Sequence, residues 1–202
     1  MWQVAWAHPK YESVIATCGY DNKVKVWRKD HQGSWENCVF QHELGESVNC
    51  IQWAPWEYGL ILAAGTAEGR IHIFTKAAKE GEWGNFGFPA HADGVNGLSW
   101  GPSTEPSMLS QASENKKYAL PPKRLLSGGN DNKVKIWEFK EGNEHKPSEQ
   151  VVGSHDDWVR DVSWCDSIGL AQNMIATCSE DRTCKVWKFD GKTQWVEKKI
   201  SF

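Results

Sequence analysis

His155, Asp156 and Asp181, with a serine nearby, are the residue types of a hydrolytic site, in which an imidazole takes a hydroxyl proton and a carboxylate holds the ring. Such chemistry needs one nucleophile in one pocket. Here the constellation recurs along the chain, as His91, Ser127 and Asp131, and in part as Thr17 and Asp21. A group that repeats with the chain serves the fold, so the sequence points away from an enzyme. No glycine-rich phosphate loop, HExxH helix or CxxC pair is present, and no cofactor or metal is implied. The six cysteines (18, 38, 50, 165, 178 and 184) include a close pair, Cys178 and Cys184, but five residues separate them, not the two of a zinc knuckle. Buried reduced thiols are the expectation.

The elements that must position these groups are set by a repeat, most visible in the 13 tryptophans. An alternating segment ends at Trp6, Trp53, Trp100 and Trp164, spaced 47, 47 and 64 residues apart. A second segment follows each: TCGYDNKVKVW, AAGTAEGRIHIF, SGGNDNKVKIW and TCSEDRTCKVW. Each begins as a small-residue strand, turns at an acid (Asp21, Glu68, Asp131, Asp181) and ends in an aromatic (Trp27, Phe74, Trp137, Trp187). A further Trp follows in three units, as Trp35, Trp83 and Trp195. Every unit thus reads as four short strands without helical periodicity. One such sheet cannot bury its own apolar face, whereas radial stacking of neighbours can, so the fold class is all-β, a β-propeller of four four-stranded blades. The blades are expected at about 1–41, 42–90, 91–152 and 153–202, in one domain, with a polar loop inserted at 103–122 that accounts for the longer spacing.

Composition narrows the function classes. A formal net charge of −3 gives no general attraction to nucleic acid or acidic lipid. The lysines near the end (185, 188, 192, 198 and 199) read as a solvated strand face that discourages edge pairing. No stretch approaches the ~18 apolar residues of a spanning helix, and the opening MWQVAWAHPKYES has no basic segment followed by an apolar one, so no secretory leader is expected there.

His in the incoming loop, a hydroxyl in the second strand, an Asp turn and a Trp in the third strand together resemble the WD-repeat family. The resemblance implies a hydrogen-bonded relay in each blade: His155, Thr177 or Ser179, Asp181 and Trp187 in the fourth, and His91, Ser127, Asp131 and Trp137 in the third. The second offers His42 and Thr66, but Glu68 and Phe74 break the set; the first offers Thr17, Asp21 and Trp27 without an incoming loop. Arg28, Glu138 and Lys188 stand where the family's name-giving Asp would follow the Trp. Longer segments, Trp2–Pro9, WAPWEYGLILAAG at 53–65 and HDDWVRDVSW at 155–164 with Ser167 to Leu170 after it, resemble the Sec-thirteen propellers of the secretory coat.

That likeness implies a scaffold in two assemblies, the outer cage of the COPII coat in endoplasmic-reticulum-to-Golgi transport and the Y-shaped complex of the nuclear pore. It further implies a six-bladed propeller, left open and completed by strands from an α-solenoid coat or nucleoporin subunit. Against that pattern the chain covers four blades and is expected to be part of a longer propeller. The implied location is the cytoplasmic side of the endoplasmic reticulum, COPII vesicles and the nuclear pore, with membrane reached only through other subunits and no direct nucleic-acid contact. Pairing of two copies through open blade edges is a further possible association. The alternative is a peptide reader or substrate receptor at the channel mouth. For it, Trp158 and Arg160 in a loop before the fourth blade are candidate contacts, with Trp56 and Tyr58 as a second group.

Overall fold

A computed structural model describes residues 1–30, 32–35, 38–77, 81–104, 120–166, 173–191 and 194–200. Period-2 alternation of Val, Ile, Leu and Trp becomes sixteen strands in four antiparallel sheets, each in simple up-and-down order. The first holds β1 (Gln3–Trp6), β2 (Val14–Cys18), β3 (Lys23–Arg28) and β4 (Cys38–Glu43). The second holds β5 (Val48–Trp53), β6 (Ile61–Thr66), β7 (Arg70–Lys76) and β8 (Trp83–Pro89). The third holds β9 (Val95–Trp100), β10 (Lys123–Gly129), β11 (Lys133–Phe139) and β12 (Ser148–Ser154). The fourth holds β13 (Val159–Trp164), β14 (Met174–Ser179), β15 (Cys184–Phe189) and β16 (Trp195–Ile200). The described residues thus form an array of four β-propeller blades. Its first sheet runs to Glu43 and its third to Ser154, so these outer strands extend past the boundaries read at 41 and 152. Most of the insertion read at 103–122 lies outside the described residues, as do Ser167 to Leu170 and Lys192.

The first strands line up along the axis: β1 packs on β5, β5 on β9 and β9 on β13. The core therefore lies between blades, in three apolar clusters. One joins Ala16, Cys18, Val24 and Val26 of the first blade to Val48, Ile51, Trp53 and Phe74 of the second. The next joins Ile71, Ile73 and Phe88 to Leu98, Trp100 and Trp137. The last joins Leu126, Val134 and Ile136 to Val162, Trp164, Ile175 and Trp187. Each blade thus presents its Trp-bearing face to the blade before it and a smaller aliphatic face to the blade after it. Gly128 keeps this approach close, because a β-carbon there would lie 2.5 Å from a Val159 methyl. Side chains and backbone also stitch neighbouring first strands: Gln52 Oε1 accepts from Trp100 N at 2.7 Å, and Ser99 Oγ accepts from Trp164 N at 2.8 Å.

The aliphatic–aromatic pattern leaves one contrast. Trp53, Trp100 and Trp164, at equivalent ends of their first strands, are 9 %, 7 % and 6 % exposed, whereas Trp6 is 65 % exposed. Its face of the first blade, with Val4 beside it, has no blade packed on it among the described residues. No helix of the described residues is long and apolar enough to cross a membrane.

Candidate functional site

The turn between the second and third strands places an acid directly before a residue in the left-handed region: Asn22, Gly69, Asn132 and Arg182 follow Asp21, Glu68, Asp131 and Asp181. In the third and fourth blades that geometry aims the carboxylate back at the loop entering the same blade. In the third blade His91 Nδ1–H donates to Asp131 Oδ1 at 2.7 Å, Nε2 lies 2.8 Å from Ser127 Oγ, and Trp137 Nε1–H donates to that same oxygen at 2.9 Å. The hydroxyl oxygen thus sits between the imidazole and the indole and receives the indole proton. The fourth blade repeats the line through His155, Asp181, Thr177 and Trp187, at 2.8, 2.8 and 3.0 Å. Thr177 fills the hydroxyl role. Ser179 instead donates to Asp157 O and accepts from Asp181 N, fastening the turn to the incoming loop.

Electrostatics fit this line. Burial pushes the Asp131 carboxyl up, but the hydrogen bond and charge of His91, with N–H groups of Lys133 and Ala92, outweigh it and hold the group at about 2. Asp181 is also held below the usual carboxylate range, because donation from Thr183, Asp156 and His155 outweighs its burial. Asp–His–hydroxyl is the connectivity of a hydrolytic triad, yet the would-be nucleophiles are sealed: Ser127 is 0 % and Thr177 2 % exposed, each capped by an indole N–H. Asp156 lies outside the line and offers Asp181 only its backbone N–H. The arrangement can brace a turn but cannot reach a substrate.

The first two blades depart from the sequence reading. In the first, Trp27 Nε1–H donates to Thr17 Oγ1 at 3.1 Å while Asp21 binds Lys25 Nζ at 2.9 Å. His42, read as the incoming-loop histidine of the second blade, is instead in β4 of the first, beside the rings of Phe40 and Phe74 and 3.0 Å from Asn85 Nδ2. The histidine position belongs to Leu44, whose N–H donates to Asn22 O just as that of His155 donates to Asn132 O. Strand register also moves the hydroxyl position: Leu98↔Ser127 and Val162↔Thr177 correspond to Ile51↔Ala64, not to Thr66. Thr66 turns to the Arg70 backbone. The second blade therefore replaces all four relay groups together, with Leu44, Ala64, Glu68 and Phe74. The signal for this was register, since His42 mimics the right spacing on the wrong strand.

The candidate contact residues fall into two separate places. Trp158 is 41 % exposed with the Arg160 guanidinium 5.0 Å above its ring, and Arg160 is tied to Glu180. Arg160 belongs to β13 rather than to the loop before it. Trp56 is 38 % exposed under the ammonium of Lys10 at 4.3 Å, with His8 stacked on it; Tyr58 donates to Pro121 O. One group precedes a first strand and the other follows one, so the two sit at opposite ends of their blades and cannot form one site. Of the cysteines only Cys18 and Cys50 are buried, which corrects the expectation of six buried thiols; all six are free. Cys178 and Cys184 face each other across β14 and β15.

Residues 2–28, 85–138 and 147–188 match the family described as WD domain, G-beta repeat. The unmatched stretch after residue 28 contains β5, β6 and β7, the strands of the blade whose relay is replaced. Protein SEC13 homolog of Drosophila melanogaster is 42 % identical over 97 % of this chain and 55 % of its own length. Protein transport protein sec13 of Aspergillus fumigatus is 36 % identical over the whole chain and 67 % of its own length. That of Cryptococcus neoformans var. neoformans serotype D is 37 % identical over 91 % of this chain and 59 % of its own length. The chain thus spans between about half and two thirds of the length of these curated relatives. Four stacked four-stranded blades, two complete sealed relays and these matches have one consequence: the chain belongs to the WD-repeat family and, within it, to the Sec13 propellers.

Proposed function

We propose that this chain is a scaffold propeller of protein transport, serving the outer cage of the COPII coat and the Y-shaped complex of the nuclear pore. The observation that carries the reading is the match to relatives named for Sec13 and protein transport, at 36–42 % identity over nearly the whole chain. In this role the blades form a stiff disc that braces an elongated α-solenoid coat or nucleoporin subunit, and no bond is made or broken. The partner supplies strands that pack against an open blade, a form of strand addition. The working place is the cytoplasmic side of the endoplasmic reticulum, COPII vesicles and the nuclear pore, with membrane reached through other subunits.

A second reading rests on Trp158 with Arg160 over its ring: a peptide reader at the channel mouth. Affinity purification of the tagged natural full-length protein from its own cells, with mass spectrometry of what comes down, separates the two. Stoichiometric large α-solenoid subunits are the expected outcome, unchanged by Trp158→Ala and Arg160→Ala. Recovery of chromatin or ubiquitin-ligase subunits instead, lost with those two substitutions, would overturn the scaffold reading.

A further inference from the structure

The three blade junctions offer an internal comparison, because equivalent residues line each at the end where second strands begin and third strands finish. Between the second and third blades the space is filled by rings, with Phe86 6.4 Å from Phe139 and 4.7 Å from His145. Between the third and fourth it is smaller, about 370 Å³, and its cross-strand pair Arg124 and Glu138 balances charge. Between the first and second blades it is an open groove of about 570 Å³.

The differences follow from single positions. Register aligns Arg28 with Glu138 and Val14 with Arg124, turning a balanced pair into a lone cation over an apolar floor. Lys76 holds the place of Phe139 and Phe189, and Leu60 that of Asn173. Val39, Leu60 and Trp83 offer its apolar surface, while the rim carries Lys10 and Arg28, with Glu12 the one lining carboxylate among the described residues. Lys10 and Arg28 are exposed. Lys10 and Arg28 thus put positive charge at this groove on a protein of net charge −3.

We propose that the groove between the first and second blades is a docking site for a short acidic segment of a partner protein. The segment sets one bulky apolar side chain on Val39, Leu60 and Trp83 and its carboxylates against Arg28 and Lys10. Volume and lining suit such an anchor with its flanking backbone. Charge complementarity selects acidic over basic segments. The overall negative charge argues against an anionic membrane as the occupant. The proposal does not depend on strand addition at the open face.

The test is fluorescence anisotropy of a fluorescein-labelled peptide of alternating Glu and Leu, titrated with the full chain beside its Lys–Leu counterpart. The Glu–Leu peptide is expected to bind saturably, and the double variant Lys10→Glu/Arg28→Glu to weaken it by about tenfold or more, while Lys140→Glu on the third blade leaves it unchanged. Leu60→Asn, which copies the fourth-blade residue, is expected to weaken it too. Circular dichroism of each variant checks that the fold persists. The proposal is overturned if the peptide does not bind, if the lysine counterpart binds as well, or if the double variant binds normally. Capture of the chain by phosphatidylserine vesicles, lost in the double variant while the peptide fails to bind, assigns the groove to lipid and also overturns it.

Discussion

Asp131 and Asp181 each satisfy a buried histidine and the backbone of a strained turn, whereas Glu68, at the same repeat position, is exposed, with Leu44 and Ala64 at the places of the histidine and the hydroxyl. Removing one partner of a buried hydrogen-bonded line leaves the rest unsatisfied. Asp131→Ala and Asp181→Ala are therefore expected to cost about 2 kcal/mol each, against about 0.5 kcal/mol or less for Glu68→Ala, by urea unfolding. Equal losses would sink the relay. The Asp131 carboxyl, held at about 2, lies below its unfolded value of about 3.9. A depressed carboxylate stabilises the fold above the unfolded value and loses that contribution as pH falls toward the folded one. The stability gap between the protein and Asp131→Asn should close by about 2 kcal/mol between pH ~4 and pH ~2, and a gap that stays constant over that window contradicts the assignment.

First-strand tryptophans show how a repeat position takes its energy from its neighbours. Trp100 is sandwiched between blades and donates its indole N–H to Gln52 O at 3.1 Å; Trp6 is 65 % exposed, and its ring contact among the described residues is Trp35 at 5.7 Å between centroids. Trp100→Ala is expected to cost about 3–5 kcal/mol and Trp6→Ala about 1 kcal/mol or less in the same chain. Trp164 adds a second contrast, since its buried Nε1 finds no partner among the described residues. Trp164→Phe should therefore be milder than Trp100→Phe by about 1 kcal/mol in thermal or urea unfolding. Equal costs would mean that the indole bond to Gln52 contributes nothing.

Over the whole molecule the core is a set of inter-blade layers, so protection depends on which layer a group enters. Cys18 is pushed up to about 11 by burial, and Cys50, sealed against the third blade, is pushed well above the ordinary thiol value by the same cause. Cys38 and Cys178 are exposed. Thiol titration of the native chain should label Cys38 and Cys178 first and reach Cys18 and Cys50 only on unfolding. Immediate labelling of all six would show that the blades do not hold together as described.

Strand alternation, the acidic turns and the spacing of Trp6, Trp53, Trp100 and Trp164 made the blade architecture legible from sequence, because each is a local consequence of period-2 geometry and turn chemistry. The relays of the third and fourth blades were legible for the same reason. The second blade was not: His42 and Thr66 have plausible spacing, and only the pairing Ile51↔Ala64 shows that the hydroxyl and histidine positions belong to Ala64 and Leu44. The groove at Arg28 and Leu60 was equally hidden, since its walls come from two blades. Which side chains share a space is decided by how neighbouring sheets stack, and that stacking is a tertiary property.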